Sequence, residues 1–185
     1  WLLWLRIIVL PQEDTHTFSA LTYNIRYNTT ADGKNAWPKR KESVLEVLVK
    51  EDATIIGLQE ALQGQLAYLA GNLKTYDYVA VGRDDGWLTG EACPILWRKD
   101  RFALVATNTF WLSEKPDMPG SKSWDAAITR ICTWVKLRSL LTGRELYVFN
   151  THFDHKGDSA REESAKLLGE KIKAIAGTEP VVLLG

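Results

Sequence analysis

Short β-type runs alternate along the chain with amphipathic helical stretches, and this alternation limits the folds open to it. Runs such as "FSALTYNIRY", "TIIGLQEAL", "TRICTWVKLRSL" and "RELYVFNTHF" have strand character. The helical stretches are one opened by Trp37-Pro38, the segment "QGQLAYLAGNL", and one following Ser159. For the last, Ser159 with Glu162 predicts a capping box, and Gly177 stands where a C-cap glycine belongs. The pattern predicts an α/β (α+β) fold in which packed sheets are covered by helices.

Length and composition are consistent with one domain that buries one substantial core. The chain has 185 residues, of which 45% are hydrophobic. Lys plus Arg and Asp plus Glu number 23 each, so no global positive field favours binding to a polynucleotide. Cys93 and Cys132 are too few for a disulfide framework or a zinc site, and we expect two buried free thiols.

The N-terminal run "WLLWLRIIVL" is apolar for ten residues, with Arg6 inside it. A membrane span needs about 20 apolar residues, so this run does not predict one, and we expect no transmembrane segment elsewhere. The run is either the trimmed core of a secretory signal, which would favour a secreted or periplasmic protein, or a first strand and its lead-in. We assign residues 1–20 to this lead-in and 21–185 to the domain.

Three buried-looking strands end in polar residues that are able to do chemistry. Asn24 follows "LTY", Glu60 follows "IIGLQ", and Asn150 with His152 follows "YVF". Taken singly, each has an ordinary structural explanation as a turn former, a helix-start carboxylate or a strand-end residue. Together they indicate a site, since a carboxylate suits Mg²⁺ or Mn²⁺, an amide orients water or phosphate, and a histidine exchanges protons.

The strings "LTYNIRY", "IIGLQEAL", "ITRICTW" and "VFNTHFDH", in this order and with a final "VVLLG", resemble the endonuclease/exonuclease/phosphatase superfamily of metal-dependent, DNase I-like phosphoesterases. The strings "GRDDG" and "FNTHFDHKG" are similar to those of its bacterial, often secreted, members. The resemblance covers the chain from about Leu21 onward. It implies a β-sandwich flanked by helices.

The same resemblance assigns roles to residues of this sequence. It implies that Glu60 and Asn24 form the metal site, with Asn24 also at the phosphate, and that His152 stabilises or protonates the scissile phosphate. Asn150 would reach the same phosphate-cleaving site on the same strand. The implied cofactor is Mg²⁺, with Mn²⁺ as the alternative.

Four further residues are candidates for contact with the phosphate or the substrate. Arg130 falls where the family often has a phosphate contact, and its guanidinium suits a phosphoester. If the Leu-Thr-Gly turn is a three-residue loop, Arg130 pairs opposite Asp154. A surface-loop explanation is as good for Asp154 and His155. Trp124 either shapes the substrate pocket or packs within its loop.

Two motifs of the family, a Gly-Asp-x-Asn after the strand "VVLLG" and a later Ser-Asp-His, are not in the printed sequence. The expectation is therefore a C-terminally truncated enzyme that is inactive alone. The leading function is hydrolysis of a phosphodiester or phosphomonoester, on a small-molecule, lipid head-group or nucleic-acid substrate, with no obligate protein partner. The alternatives are a 3′-5′ RNA exonuclease (a nuclease of the Ccr4 type) and a non-catalytic binding module.

Overall fold

The computed structural model describes residues 17–185, and the apolar N-terminal run lies outside the described residues. Two four-stranded mixed sheets form the molecule. The first contains β1 (Ala20–Asn24), β2 (Ile55–Gln59), β3 (Tyr76–Val79) and β4 (Ile95–Arg98), in the spatial order β1-β2-β4-β3. The second contains β5 (Phe102–Trp111), β6 (Ile131–Ser139), β7 (Glu145–Thr151) and β8 (Val181–Leu184), in that order.

The sheets pack face to face over an apolar core. Side chains from both sheets meet there, among them Ile55, Ile95, Val135, Val148 and Leu184. Strand β2, "IIGLQ", is buried at every residue because one face meets the second sheet and the other meets helices. The polar residue after such a strand is therefore the first one able to reach solvent.

Helices cover the outer faces of both sheets. Against the first sheet lie α1 (Trp37–Glu51) and α2 (Gln63–Asn72), and against the second lies α3 (Asp158–Ala176). A 3₁₀ turn (Thr30–Asn35) leads into α1, whose first turn holds the predicted proline, Pro38. The predicted sandwich flanked by helices is confirmed.

Asn150 crosses the space between the two sheets. It is fully buried, and its Nδ2 donates to the carbonyls of Leu58 and Pro94 at 2.7 and 2.8 Å. Its Oδ1 accepts from Gln59 Nε2 at 2.8 Å. Gly57 makes room for it, because a Cβ there would lie 2.9 Å from Asn150 Cγ. These bonds connect β7 to β2 and to the residue before β4.

Two local predictions are wrong. Helix α3 begins at Asp158 with no side-chain bond at its cap, so Ser159 and Glu162 form no capping box. Instead Asp125, from a preceding loop, accepts from Ala160 N at 2.6 Å. Ser159 lies inside the first turn, because the helix begins at Asp158 with Gly157 at the N-cap position, and a carboxylate from another segment accepts the free N–H groups. The predicted C-cap, Gly177, is confirmed.

The predicted pairing of Arg130 with Asp154 is also wrong. The ladder pairs Cys132 with Thr151, which continues to Phe153 opposite Arg130. The last paired residues, Arg138 and Glu145, are joined by the longer loop 139–144 rather than by a three-residue turn. Loop length sets hairpin register, so this difference shifts the register by one residue.

Among residues 17–185, no helix is both long enough and apolar enough to span a membrane.

Candidate active site

Asn24 and Glu60 meet where two parallel strands end. β1 and β2 run in parallel with Asn24 paired to Gln59, so Glu60 is the next residue at that edge. Asn24 Nδ2 donates to Glu60 Oε1 at 3.0 Å, and the backbone N–H of Tyr27 donates to Oε2 at 3.1 Å. Arg26 Nη1 lies 3.8 Å from the same Oε2. The carboxylate is therefore held in one orientation by donors on both oxygens.

The backbone at this edge is strained at two positions. Glu60 has φ 60° and Arg26 has φ 55°, both in the left-handed region that non-glycine residues seldom occupy. Such a conformation costs about 1–3 kcal/mol and persists only where the surroundings enforce it. Here it turns the Glu60 side chain toward Asn24 and Tyr27 as the strand stops.

Glu60 is an anion at neutral pH. Burial raises the pKa of its carboxyl, but the hydrogen bonds from Asn24 and Tyr27 and the charges of His152 and Arg26 more than offset this. The pKa of Glu60 therefore lies below its ordinary value.

A second group of polar side chains lies where β6 begins and β7 ends. Arg130 precedes β6 and is buried, at 5% exposure. Its Nη1 lies 3.0 Å from His152 Nδ1 and its Nη2 lies 3.2 Å from His155 Nδ1. His152 is half-buried, whereas His155 is exposed. One arginine thus contacts both histidines of the "THFDH" segment.

Asp154 anchors the backbone around this group. Its Oδ2 accepts from the N–H groups of Ala127 and Ile128, and its Oδ1 from those of Lys156 and Gly157, at 2.9 to 3.3 Å. Burial raises the pKa of Asp154, but these four bonds outweigh it and hold the pKa far below the usual range. Its oxygens are engaged, and Arg130 Nε lies 3.7 Å from Oδ2.

Members of both groups line one small cavity, Glu60 from the first group and Arg130 with His152 from the second. Asn24 lines a neighbouring pocket instead. Arg83 and Glu91, which the sequence did not single out, line the small cavity as well and form a two-bonded ion pair at 2.8 and 3.0 Å. The signal that marks them is the charged, glycine-containing segment "GRDDGWLTGE" just before β4.

Charges in the cavity affect the ionisation of His152 and Glu91. Burial and the nearby charges of Arg130 and Arg83 lower the pKa of His152, against an opposing effect of Glu60. Because its pKa is lowered, His152 is a neutral imidazole at neutral pH. Burial also raises the pKa of Glu91, despite its ion pair with Arg83.

Cys93 lines the cavity without being reactive. Burial raises the pKa of this thiol to about 12, so it carries no thiolate. Cys93 and Cys132 are both buried and free, as the sequence predicts.

The structure places the other predicted residues differently. Asn150 is buried between the sheets and does not line the cavity. Trp124 is partly buried at φ 54° in the loop before β6 and is not among the residues that line the cavity. The roles predicted for all eight residues stay predictions.

The donor set is consistent with a single-carboxylate magnesium site. Within residues 17–185, no three His, Cys, Asp or Glu side chains are grouped closely enough to enclose a metal. Mg²⁺ commonly binds through one or two carboxylates and completes its octahedron with water and substrate phosphate. Glu60, anionic and oriented by Asn24, has the chemistry of such a ligand.

Two packed sheets with outer helices, and acidic and basic side chains meeting at their strand ends, define an endonuclease/exonuclease/phosphatase-type sandwich. Comparison with solved structures confirms this superfamily. A Bacteroides vulgatus endonuclease/exonuclease/phosphatase is 43% identical (TM-score 0.87), and a family protein from Bacteroides thetaiotaomicron is 40% identical (TM-score 0.86). The mannosyl-6-phosphatase Bt3783 of Bacteroides thetaiotaomicron is 38% identical (TM-score 0.86).

Each of these three matches covers 90% of this chain, and the chain spans 64%, 61% and 64% of the respective proteins. No protein-family model matches the chain. No curated protein matches it either.

Proposed function

We propose that the chain carries part of the active site of a Mg²⁺-dependent phosphoester hydrolase, with Mn²⁺ as an alternative metal. The observation that carries the proposal is the cavity at the strand ends, which anionic Glu60 lines together with His152 and Arg130. An acid to hold a metal and donors to hold a phosphate are the two requirements for cleaving a phosphoester electrostatically.

Each residue has a distinct task in this proposal. Mg²⁺, when bound, neutralises phosphate charge and supports attack by water. Glu60 holds the metal, and Asn24 orients the Glu60 carboxylate through the 3.0 Å bond. His152, neutral at pH 7, donates a hydrogen bond to the phosphate and stabilises the negative charge that develops on it.

We propose a phosphorylated sugar, a phosphomonoester, as the substrate class. Two observations favour it over a nucleic acid: the 38% identity to a mannosyl-6-phosphatase, and the zero formal net charge. Neutralising several phosphates of a polynucleotide needs a Lys/Arg surface that the overall charge does not supply. RNA exonuclease activity and a non-catalytic binding role are the alternatives that the experiment must separate.

The test uses this chain and a chimera, in which the chain is continued by the C-terminal segment of the Bacteroides vulgatus relative. The assays measure phosphate release from mannose 6-phosphate, p-nitrophenol release from bis(p-nitrophenyl) phosphate and shortening of an oligoadenylate, each with Mg²⁺ and with a chelator. We expect Mg²⁺-dependent release from mannose 6-phosphate by the chimera, and little by the 185-residue chain. Preferential shortening of oligoadenylate would favour the exonuclease, and no hydrolysis of any substrate by the chimera would favour the binding module.

A further inference from the structure

Arg130 contacts two histidines at the same type of ring nitrogen. Its two terminal nitrogens lie 3.0 Å from His152 Nδ1 and 3.2 Å from His155 Nδ1. The Arg130 side chain is 5% exposed, so water does not readily replace either partner. Both distances are those of hydrogen bonds.

The chemistry of the guanidinium decides the direction of both bonds. Arginine carries five N–H donors, has no acceptor and stays protonated in proteins. Each Nδ1 must therefore accept with its lone pair, and in a neutral imidazole the proton then resides on Nε2. Within each imidazole, Nδ1 and Nε2 point away from each other. The Nε2–H of each histidine is therefore directed away from Arg130.

Arg130 is itself held in place. Asp154 Oδ2 lies 3.7 Å from Arg130 Nε and balances its charge, while Asp154 is fixed by four backbone N–H groups. Arg130 Nε is buried and has no hydrogen-bond partner among residues 17–185. The close polar contacts of the guanidinium there are those of its two terminal nitrogens with the histidines. An anchored guanidinium that directs two imidazoles is a rigid arrangement.

We propose that Arg130 is a positioning residue that fixes His152 and His155 in the Nε2–H tautomer, so that each ring presents an N–H donor on the side away from Arg130. The tautomer follows from the contacts alone, whereas its catalytic meaning rests on the proposed function. His152 then meets the phosphate as a neutral donor and cannot first act as a base at Nε2. The histidines take two of the five N–H donors of Arg130, so a direct contact with phosphate, as the sequence suggested, would have to use the remaining ones.

The test is nitrogen NMR of the protein labelled with ¹⁵N-histidine. The chain has three histidines; a His16→Asn variant identifies the signals of one of them, and a His155→Asn variant then distinguishes the other two. Long-range proton–nitrogen spectra at pH 7.5 report which ring nitrogen carries the proton. We expect a protonated Nε2 and a hydrogen-bonded, unprotonated Nδ1 in both rings. A proton on Nδ1 of either histidine would overturn the proposal.

Substitution of Arg130 tests whether this residue determines the tautomer of the two histidines. In Arg130→Met, we expect the Nδ1 resonances to move toward those of a nitrogen that accepts no bond, and a detectable Nδ1–H fraction to appear. Unchanged ring resonances in a folded Arg130→Met protein would contradict the proposal. If this variant does not fold, the wild-type spectrum decides the matter.

The matched control is Arg83→Met. Arg83 lines the same cavity and lowers the pKa of His152 by its charge, but it bonds Glu91 rather than a histidine. The charged groups that act on His152 are Arg130, Arg83, Glu60 and His155. Either arginine substitution should raise the pKa of His152, but only Arg130→Met should change its tautomer. Since these readouts need no turnover, an inactive protein with the expected tautomers would refute the proposed function alone.

Discussion

Glu60 shows how a single position can combine strain, orientation and charge. Its left-handed backbone turns the side chain back toward β1, where Asn24 and Tyr27 bind its two oxygens. The same donors keep the pKa of the carboxyl low in spite of burial. A carboxylate held ionised and oriented at a cavity wall is suited to binding a cation.

Glu60→Gln in the chimera is expected to lower Mg²⁺-dependent turnover by at least about 100-fold, because residues that merely support a metal ligand already account for about 10–100-fold. An amide also replaces one hard anionic oxygen. The measurement is initial rate across a Mg²⁺ titration. The control is Glu91→Gln, which removes another carboxylate from the cavity wall and should leave the half-saturating Mg²⁺ concentration unchanged. Equal Mg²⁺ dependence in both variants would remove Glu60 from the metal site.

His152→Ala in the chimera should lower kcat by about 100-fold or more, the usual scale for removing a donor that stabilises charge in the transition state. His155 is the matched control, since it also bonds Arg130 but is exposed and does not line the cavity. We expect His155→Ala to have a much smaller effect. The measurement is kcat and KM for mannose 6-phosphate. A change in KM alone would make His152 a binding residue.

Only some of these residues could be found from the sequence. Glu60 and His152 stand out because each lies just past an apolar run that must be buried, where a strand reaches the edge of its sheet. Asn150 follows the same run but faces the opposite sheet, and no local pattern distinguishes the two cases. Arg83 and Glu91 reach the cavity through a loop whose course depends on tertiary contacts, such as Trp111 Nε1 donating to the carbonyl of Arg83.

Helix α3 depends on a cap from outside its own segment. Asp125 accepts from Ala160 N, whereas the side chain of Ser159 makes no cap bond. Asp125→Ala should therefore reduce the free energy of unfolding by about 0.5–2 kcal/mol. Ser159→Ala is the control and should change it by less than about 0.5 kcal/mol. Urea denaturation measures the free energy of unfolding of both variants. A larger decrease in Ser159→Ala than in Asp125→Ala would support the local capping box instead.

The packing of β2 against β7 depends on Gly57, which has no side chain. A Cβ on Gly57 would lie 2.8 Å from Leu184 Cδ1 and 2.9 Å from Asn150 Cγ, so Gly57→Ala must displace one of them. We expect a loss of about 1–3 kcal/mol, the usual cost of overpacking. Gly169→Ala in α3 is the control, because nothing lies within 4 Å of its Cβ position. It should stabilise the protein by up to about 1 kcal/mol. Thermal and urea unfolding report both values, and a neutral Gly57→Ala would show that the sheets can move apart there.

The order and type of most elements follow from their periodicity. The helix predicted from "QGQLAYLAGNL" is α2, and Trp37-Pro38 begins α1 as predicted. The hairpin register was wrong because it depends on the geometry of loop 139–144, which a Leu-Thr-Gly string does not determine. The predicted cap of α3 was wrong because the residue that accepts from its first turn, Asp125, lies 35 residues before Ala160 in the chain.

Both halves of the candidate site depend on the packing of the two sheets. Glu60 extends from the first sheet and His152 from the second, and they line one cavity. Asn150, bonded to Leu58 and Pro94, fixes the distance between the strands that carry them. The geometry of the site is therefore a property of the sandwich, and anything that loosens the sheets should disturb both groups together.

Acid should destabilise the fold through Asp154. Burial raises the pKa of this carboxyl, but four backbone N–H bonds lower it far below its value of about 3.9 in the unfolded chain. The folded state therefore favours the carboxylate. Its stabilisation is complete above about pH 4 and is lost as pH falls toward the folded pKa. Glu60, whose pKa is also lowered, acts in the same direction.

Comparison of Asp154→Asn with wild type across pH 2.5–7 tests this sign. The wild type should be more stable than the variant by an amount that grows as pH rises and shrinks below about pH 4. The reason is that Asp154 titrates, whereas the asparagine side chain of the variant does not. Glu91→Gln provides a control of opposite sign. Burial raises the pKa of Glu91, so folding favours its protonated form and the difference between wild type and variant should fall as pH rises. Urea midpoints at each pH give both curves. If the urea midpoints of wild type and Asp154→Asn changed in parallel with pH, the four amide bonds would not depend on the charge of Asp154. The acid sensitivity of the fold would then come from Glu60 and the other carboxyl groups.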